Sequence, residues 1–359
     1  MRIFQRGKKK CLFLGIMIIP LVWLIAFCYH FIVVNHKMVV EENRDFLLAM
    51  KSRFEHVKST CSHTSSVSKS YKLSAAVTAS HSYWCSNMKV IYCPTFKSAS
   101  STWIENLIHI CGRNESIVGR AKQRHRGNLI EQLKYVGAIE PPESLWSNYT
   151  GSQRSENITT FMVVRHPFER LVSAYRDKLE RMDMYYYETY GKKIVYRFRE
   201  RAWRTLGADF FSPSNNYGTL LKISTADRPN ANLPSFWEFA QSVIMGLNMD
   251  EHWIPMYKYC SVCNLNQFSH NPYILKFESL DVEESAFVEY MGWKDIVNKT
   301  NKLNVNRFGD MSSEEITQLY FSVLSQEDIM KLFHVYKNDF LLFQYKFKIG
   351  NLTLPLMQD

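Results

Sequence analysis

Two short polar segments of the sequence carry residue types that bind phosphate groups. The first begins with a lysine and continues with small residues, Lys97, Ser98, Ala99, Ser100, Ser101 and Thr102. Small residues let the backbone approach an oxyanion, successive N–H groups at a helix start can bind phosphate, and the lysine adds compensating charge. The Gly-x-x-x-x-Gly-Lys-Ser/Thr spacing of nucleoside triphosphatases does not occur in the sequence. The alternative interpretation is a Ser-rich capping loop beside a solvated lysine.

The second segment contains Arg165, Arg170 and Ser173. Arg165 follows an apolar run, and Ser173 lies two turns into the helix predicted after it, so both side chains can reach one phosphate group. A guanidinium supplies charge-assisted hydrogen bonds to such a group. Arg170 shares a helix face with Ser173 and can assist. The alternative is that the two arginines form surface ion pairs.

Two strand-to-helix units must position these segments. Residues 90–93 form a short apolar run typical of a strand, and the spacing of apolar residues predicts a helix over residues 102–111. A second buried-type strand covers residues 160–164, and Pro167 with an apolar stripe predicts a helix that ends near Arg181. This order indicates an α/β domain with a mainly parallel sheet, helices on both faces and ligands at the carboxyl ends of the strands.

The C-terminal part of the sequence is predicted to be helical and structural. Ser312 and Ser325 are each followed three residues later by an acid, Glu315 and Asp328, which is typical of a helix N-terminus. Apolar residues after Ser325 recur at helical spacing and indicate a buried helix face.

The N-terminal segment predicts a membrane anchor. Residues 1–10 form a basic tail, and residues 11–34 form a run of 24 residues without Asp, Glu, Lys or Arg, long enough to span a bilayer. A cleaved signal peptide, the alternative, has a shorter apolar stretch. The basic tail is expected to stay in the cytosol, which makes residues 35–84 a lumenal stem and residues 85–359 a lumenal domain. Five Asn-x-Ser/Thr sites agree with a secretory route: Asn114, Asn148, Asn157, Asn298 and Asn351.

Charge and cysteine content narrow the possible functions. The formal net charge is +10, but five of these charges lie in residues 1–10, and the remainder does not indicate a nucleic-acid partner. Six of the eight cysteines lie beyond the predicted anchor, an even number that suits disulfides in an oxidising compartment. Cys260 and Cys263 are spaced like half of a zinc site without the other half, so a local disulfide is favoured and no metal is expected.

Four segments of the chain together resemble the Golgi carbohydrate sulfotransferases of the chondroitin/dermatan 4-O type. Residues 92–103 (YCPTFKSASSTW) are similar to their 5′-phosphosulfate loop, and residues 161–178 (FMVVRHPFERLVSAYRDK) to their 3′-phosphate segment. The other similar parts are residues 251–255 (EHWIP) with 276–280 (KFESL), and residues 336–345 (YKNDFLLFQY). The resemblance covers roughly residues 90 to 346.

This resemblance implies a P-loop-like sulfotransferase fold and 3′-phosphoadenosine 5′-phosphosulfate (PAPS) as the sulfate donor. It implies that Lys97 and the backbone of Ser98 to Thr102 hold the 5′-phosphosulfate, and that Arg165 and Ser173 hold the 3′-phosphate. It also implies a single-pass type II protein of the Golgi membrane that sulfates a glycan, such as GalNAc of chondroitin or dermatan. The acceptor is then expected to be an anionic polysaccharide or proteoglycan.

The base that deprotonates the acceptor hydroxyl has several candidates. His125 and His252 are favoured because histidine titrates near the working pH, and Glu105 and Glu169 are alternatives. A basic and aromatic stretch, Lys192 to Arg204, predicts an acceptor site or, equally, a solvated mixed-charge helix face.

Two departures from the family pattern leave a second function open. Family members usually have proline where Phe96 stands and a basic residue where Ile104 stands. A catalytically inactive lumenal glycan-binding relative is therefore the alternative function, and the missing nucleotide-binding signature disfavours a kinase.

Overall fold

The computed structural model describes residues 41, 44–63, 81–112, 115–126, 128–139, 158–181, 183–198, 233–260, 262–263, 272–297, 311–349 and 352–354. The chain divides into two compact units, residues 1–49 and 50–359, and residues 44–49 of the first are helical. No helix in the described ranges is both long and apolar enough to span a bilayer. The predicted basic tail, the predicted anchor and the asparagines of all five Asn-x-Ser/Thr sites lie outside those ranges.

The second unit is built on a five-stranded sheet in the order β3-β1-β2-β4-β5. Strands β2, β4 and β5 run parallel, whereas β1 pairs antiparallel with both β2 and β3. The predicted mainly parallel sheet is therefore a mixed sheet, because a four-residue turn, residues 86–89, joins β1 and β2 as a hairpin. The two predicted strands are confirmed as β2 and β4. The strands are β1 Tyr83–Cys85, β2 Val90–Cys93, β3 Ala138–Ile139, β4 Thr159–Val164 and β5 Tyr273–Lys276, and a separate antiparallel pair is formed by β6 Phe347–Ile349 and β7 Leu352–Leu354.

Helices flank the sheet and fill the connections between its strands. Their bounds are α1 50–63, α2 Ser100–Cys111, α3 Glu115–Arg124, α4 Leu129–Tyr135, α5 Pro167–Tyr175, α6 Met184–Tyr186, α7 192–198, α8 Phe236–Ile244, α9 Met256–Tyr259, α10 Leu280–Tyr290, α11 Lys294–Val297, α12 Ser313–Phe321 and α13 Gln326–Leu342. Ser312 and Ser325 are N-caps as predicted, because their side chains accept hydrogen bonds from Glu315 N at 3.2 Å and Asp328 N at 3.1 Å.

The folded unit begins earlier than the predicted boundary at residue 85. In α1, Phe54 and Val57 are buried, and Arg53 forms a two-pronged ion pair with Glu283, each N–O distance being 2.7 Å. These apolar and paired residues pack against the domain, so residues 50–63 belong to it rather than to a free stem.

All six cysteines beyond the predicted anchor form disulfides, and their pairing corrects one prediction. The pairs are Cys61–Cys263, Cys85–Cys111 and Cys93–Cys260. The favoured local Cys260–Cys263 bond is wrong, because Cys260 faces the end of β2 whereas Cys263 faces the end of α1. The Cys93–Cys260 bond fastens the segment after α9 to the sheet, and the Cys61–Cys263 bond fastens it to α1.

Candidate active site

A cavity of about 890 Å³ opens where the strands β2, β4 and β5 end. Its walls come from the loop after β2, from α5 and the turn that follows it, from the turn after β5, and from α12. Because parallel neighbours end at one edge of a sheet, the two predicted phosphate segments meet here. This placement agrees with the general position of ligand sites in α/β folds.

The loop after β2 has an unusual backbone conformation. Lys97 and Ala99 have positive φ angles of 70° and 59°, and Ala99 is the N-cap residue of α2. For residues other than glycine, this conformation costs about 1–2 kcal/mol each, and such strain is found mainly at functional sites. The Thr95 hydroxyl donates to the carbonyl of Val163 in β4, which fixes the loop to the sheet.

The first turn of α2 faces the cavity. Ala99, Ser100, Ser101 and Thr102 line the cavity, and the N–H groups of a first helical turn have no partners within the helix. Ser98 is the exception among the predicted loop residues. Its side chain is fully buried and does not line the cavity, so only its backbone can contribute to a ligand site.

Lys97 extends its ammonium group into this cavity. Its Nζ lies 3.0 Å from Asp177 Oδ2, and its side chain is 14% exposed. Burial lowers the pKa of Lys97, whereas the nearby Asp177 carboxylate acts in the opposite direction. The lysine is therefore held in place by an acid that sequence reasoning did not single out.

Arg165 lies beside Lys97 and lines the same cavity. Its Nη1 donates to the carbonyl of Lys97 at 3.1 Å, and its Nη2 donates to Ser313 Oγ at 2.9 Å. Its guanidinium also stacks over the ring of Phe277 at 4.3 Å. Ser173 lines the cavity as well, so the structure brings together Lys97, Arg165 and Ser173.

Arg170 is placed differently from its prediction. It is 1% exposed, and its guanidinium donates to three backbone carbonyls, those of Phe96 at 2.8 Å, Ile254 at 2.7 Å and Glu251 at 2.8 Å. Arg170 itself does not line the cavity. The guanidinium of Arg170 is therefore bound to backbone carbonyls, and its predicted role in holding a phosphate stays a prediction.

The helix after β4 changes character beside the cavity. Its α-helical part ends at Tyr175, and residues Arg176–Glu180 form a π-helical turn, where the sequence predicts a continuous helix. Such turns are frequent at functional sites. The wider turn lets several charged residues line the cavity in addition to Ser173, namely Arg176, Asp177, Lys178 and Arg181.

The two predicted histidines occupy different places. His125 follows α3 with its ring 5.5 Å from that of Tyr135, and it does not line the cavity. His252 lines the cavity, is 7% exposed, and has its ring 4.7 Å from that of Phe96. Burial is the main reason why the pKa of His252 is lowered. Only His252 therefore lies beside the loop that carries Lys97.

The two acidic alternatives are paired with cations. Glu105 forms a close ion pair with Lys122 and does not line the cavity. Glu169 lines the cavity 3.6 Å from Arg165 Nε, and burial raises its pKa.

The segment that carries His252 is held from both sides. Arg170 binds the carbonyls of Glu251 and Ile254, and on the other side Asp339 accepts hydrogen bonds from Met256 N at 2.8 Å and Tyr257 N at 2.9 Å. The hydroxyl of Tyr336 adds a bond of 2.5 Å to the carbonyl of Trp253. The C-terminal helix α13, predicted to be purely structural, thus fixes residues of the site.

Comparison with known proteins identifies the family. A sequence model described as the sulfotransferase family matches residues 80–346. The chain belongs to the sulfotransferase family. The predicted family is thereby confirmed at this level, and the chondroitin/dermatan 4-O type stays a prediction.

Several relatives of this chain are named carbohydrate sulfotransferases. Carbohydrate sulfotransferase 8 of Mus musculus is 27% identical over 264 residues, which cover 72% of this chain and 54% of the relative. Carbohydrate sulfotransferase 11 of Mus musculus is 25% identical over 299 residues, 82% of this chain and 75% of the relative. The chain thus spans about half the length of the first of these relatives. No solved structure shows a significant match.

Proposed function

We propose that this sulfotransferase transfers a sulfuryl group from PAPS to a hydroxyl of a glycan. The observation that carries the proposal is that Lys97, the first turn of α2, Arg165 and Ser173 line one cavity. The family supports the donor and the names of the relatives support a carbohydrate acceptor. The acceptors that we propose are glycosaminoglycans of the chondroitin or dermatan type, which would be sulfated on GalNAc. The location that we propose for the domain is the Golgi lumen, behind a single N-terminal membrane anchor.

The residues of the cavity fit a doubly phosphorylated nucleotide. The N–H groups at the start of α2, together with Lys97, would hold the 5′-phosphosulfate. Arg165 and Ser173 would hold the 3′-phosphate, and the buried Arg165 has its Nε 3.6 Å from Glu169 Oε2 at the wall of the cavity. Ser313, which already accepts from Arg165, would orient that guanidinium. PAPS, when bound, supplies the activated sulfuryl group.

The remaining chemistry belongs to side chains of this chain. An acceptor hydroxyl attacks the sulfur, its proton passes to a base, and the bond from sulfur to the phosphate oxygen breaks. Lys97 and the loop amides would stabilise the charge that grows on that oxygen. His252 is the base we propose, because it lines the cavity near Lys97 and its lowered pKa keeps it unprotonated at neutral pH.

The test compares full-length protein in detergent with a Lys97→Ala variant, using PAPS labelled in the sulfate and chondroitin or dermatan as the acceptor. We expect labelled glycan and 3′-phosphoadenosine 5′-phosphate from the wild type, and a fall of about 10²- to 10³-fold in kcat for the variant. Lys134→Ala is the matched control, because Lys134 is an exposed lysine on α4 whose ammonium lies 3.6 Å from Glu131 Oε1. Absence of transfer to any glycan together with absence of PAPS binding by calorimetry would contradict the proposal.

One observation favours the alternative of an inactive glycan-binding relative. Phe96, which stands where family members usually have proline, packs against the ring of the proposed base His252. If this contact blocks the reaction, the protein will bind PAPS without transfer, and Lys97→Ala will leave that binding unchanged. The same experiment therefore separates the two functions.

A further inference from the structure

The proposed base belongs to a hydrogen-bonded network that extends away from the cavity. His252 Nδ1 lies 2.7 Å from Asp250 Oδ1, and the same carboxylate oxygen accepts a bond of 3.0 Å from the His252 backbone N–H. The other oxygen, Asp250 Oδ2, accepts a bond of 3.0 Å from the hydroxyl of Tyr190. Three donors therefore fix this carboxylate against the imidazole.

A second tyrosine contacts the same ring nitrogen of His252. The hydroxyl of Tyr186 lies 3.0 Å from His252 Nδ1, and the two rings meet edge to face with centroids 5.3 Å apart. Tyr186 is 8% exposed and carries the ammonium of Lys178 over its ring at 4.7 Å. The imidazole is thus enclosed by Phe96, Tyr186 and Asp250 before any ligand binds.

We propose that Asp250 is a positioning residue that fixes the tautomer of His252 for catalysis. A carboxylate only accepts hydrogen bonds, so the contact of 2.7 Å places the proton on Nδ1. Nε2 is then the unprotonated nitrogen that can take the proton of the acceptor hydroxyl, and it has no hydrogen-bond partner within the described part of the chain. The inference rests on the proposed function, because it assigns a role in that reaction.

The charges around His252 set the direction of its pH response. Lys178 and Lys97 lower the pKa of His252, as burial does, whereas the hydrogen bond and the charge of Asp250 raise it. Removing the carboxylate charge should therefore lower the pKa further. A variant without that charge would move the acid limb of the pH profile to lower pH, and a purely structural role would leave the limb in place.

The test uses Asp250→Asn in the full-length protein in detergent. An amide can offer a donor to Nδ1 and so favour the wrong tautomer, and we expect kcat to fall about 10²-fold or more while the KM for PAPS changes less than about twofold. The acid limb of kcat/KM should move to lower pH. Glu188→Gln is the matched control, since Glu188 is an exposed carboxylate of the neighbouring turn that pairs with Lys192, and it should leave both readouts unchanged.

The inference is wrong if Asp250→Asn keeps the wild-type kcat, or if kcat falls while the acid limb stays in place. A parallel rise in the KM for PAPS would also overturn it, because that result indicates damage to the whole cavity. A readout independent of turnover is ¹⁵N NMR of histidine-labelled protein, with the His252 signals assigned from a His252→Gln variant. We expect a protonated Nδ1 and an unprotonated Nε2 in the wild type, and the reverse assignment would refute the proposal even in an inactive protein.

Discussion

Replacing Arg170 by methionine should lower the free energy of unfolding of the protein without acting directly on PAPS binding. The guanidinium of Arg170 donates to three carbonyls at 2.7–2.8 Å, and a methionine leaves all three without that donor. A hydrogen bond to a charged group contributes about 1.5–3 kcal/mol, and a buried unsatisfied acceptor costs a similar amount. Asp339 also loses a nearby positive charge. Counting each of the three bonds at the lower end of that range, we expect a loss of about 4–5 kcal/mol, a large share of the stability of a typical domain.

The assay is thermal unfolding of the full-length protein in detergent, followed by tryptophan fluorescence, with PAPS affinity measured by calorimetry at low temperature. A loss of this size should lower Tm by about 10–20 °C. The matched variant is Arg165→Met, because Arg165 also contacts the loop but faces the cavity. That variant should lose PAPS affinity with a smaller fall in Tm, whereas Arg170→Met should retain PAPS affinity while it stays folded.

The opposite pattern would refute the structural role of Arg170. If Arg170→Met kept the wild-type Tm but lost PAPS binding, Arg170 would hold the donor as the sequence predicts. The comparison thus decides between two arginines five positions apart.

Three further changes test other features of the structure. Ala99→Gly should raise stability by about 1 kcal/mol, because glycine adopts the observed φ of 59° without strain, and a lower Tm would contradict this. Burial raises the pKa of Asp339 to about 6, so the folded protein binds this proton more tightly than the unfolded chain. Stability should therefore fall by about 3 kcal/mol as pH rises from about 3 to 7, and urea unfolding of Asp339→Asn should lack this part of the slope. Replacing both Cys61 and Cys263 by serine removes a bond whose loop is already shortened by the Cys93–Cys260 bond to about 35 residues, so it should cost about 4 kcal/mol in urea unfolding. Peptide mapping without reduction should yield linked Cys61 and Cys263 peptides from the wild type.

The sequence predicts the centre of the sheet better than its edge. Strand β2 and the last four residues of β4 are continuous apolar runs, so composition alone reveals them. Strands β1 and β3 have three and two residues, too few for any periodicity to show. Their antiparallel pairing depends on a hairpin and on a distant segment, which local patterns do not encode. Local patterns also do not show that α1 belongs to the domain, because Glu283, the ion-pair partner of Arg53 in α1, lies 230 residues away.

In the candidate site, too, the residues beside the central strands were predictable from the sequence, and those brought in from distant segments were not. Lys97 and Arg165 were predictable because Lys97 lies in the loop after β2 and Arg165 directly follows β4, its parallel neighbour. Ser313 was not, because it reaches Arg165 across 148 residues. Arg170 and Ser173 are spaced to share one helix face, but their side chains have different surroundings. Ser173 borders the cavity, whereas Arg170 binds the backbone that carries His252. The π-helical turn after Tyr175, which brings Asp177 to Lys97, has no simple sequence signal.

The buried position of Arg170 gives a physical reason, other than phosphate binding, for an arginine at this place in the segment. One planar guanidinium binds the carbonyl of Phe96, next to Lys97, and the carbonyls of Glu251 and Ile254, on either side of the His252 segment. The donor loop and the proposed base are therefore fixed relative to each other through a rigid group rather than through flexible surface contacts. Since preorganised charges and dipoles stabilise a transition state without reorganising, a small shift of this guanidinium should reduce kcat even where PAPS still binds. Arg170→Lys, which retains the charge but loses the planar fork, should show that separation of kcat from PAPS affinity, and equal losses in both would contradict it.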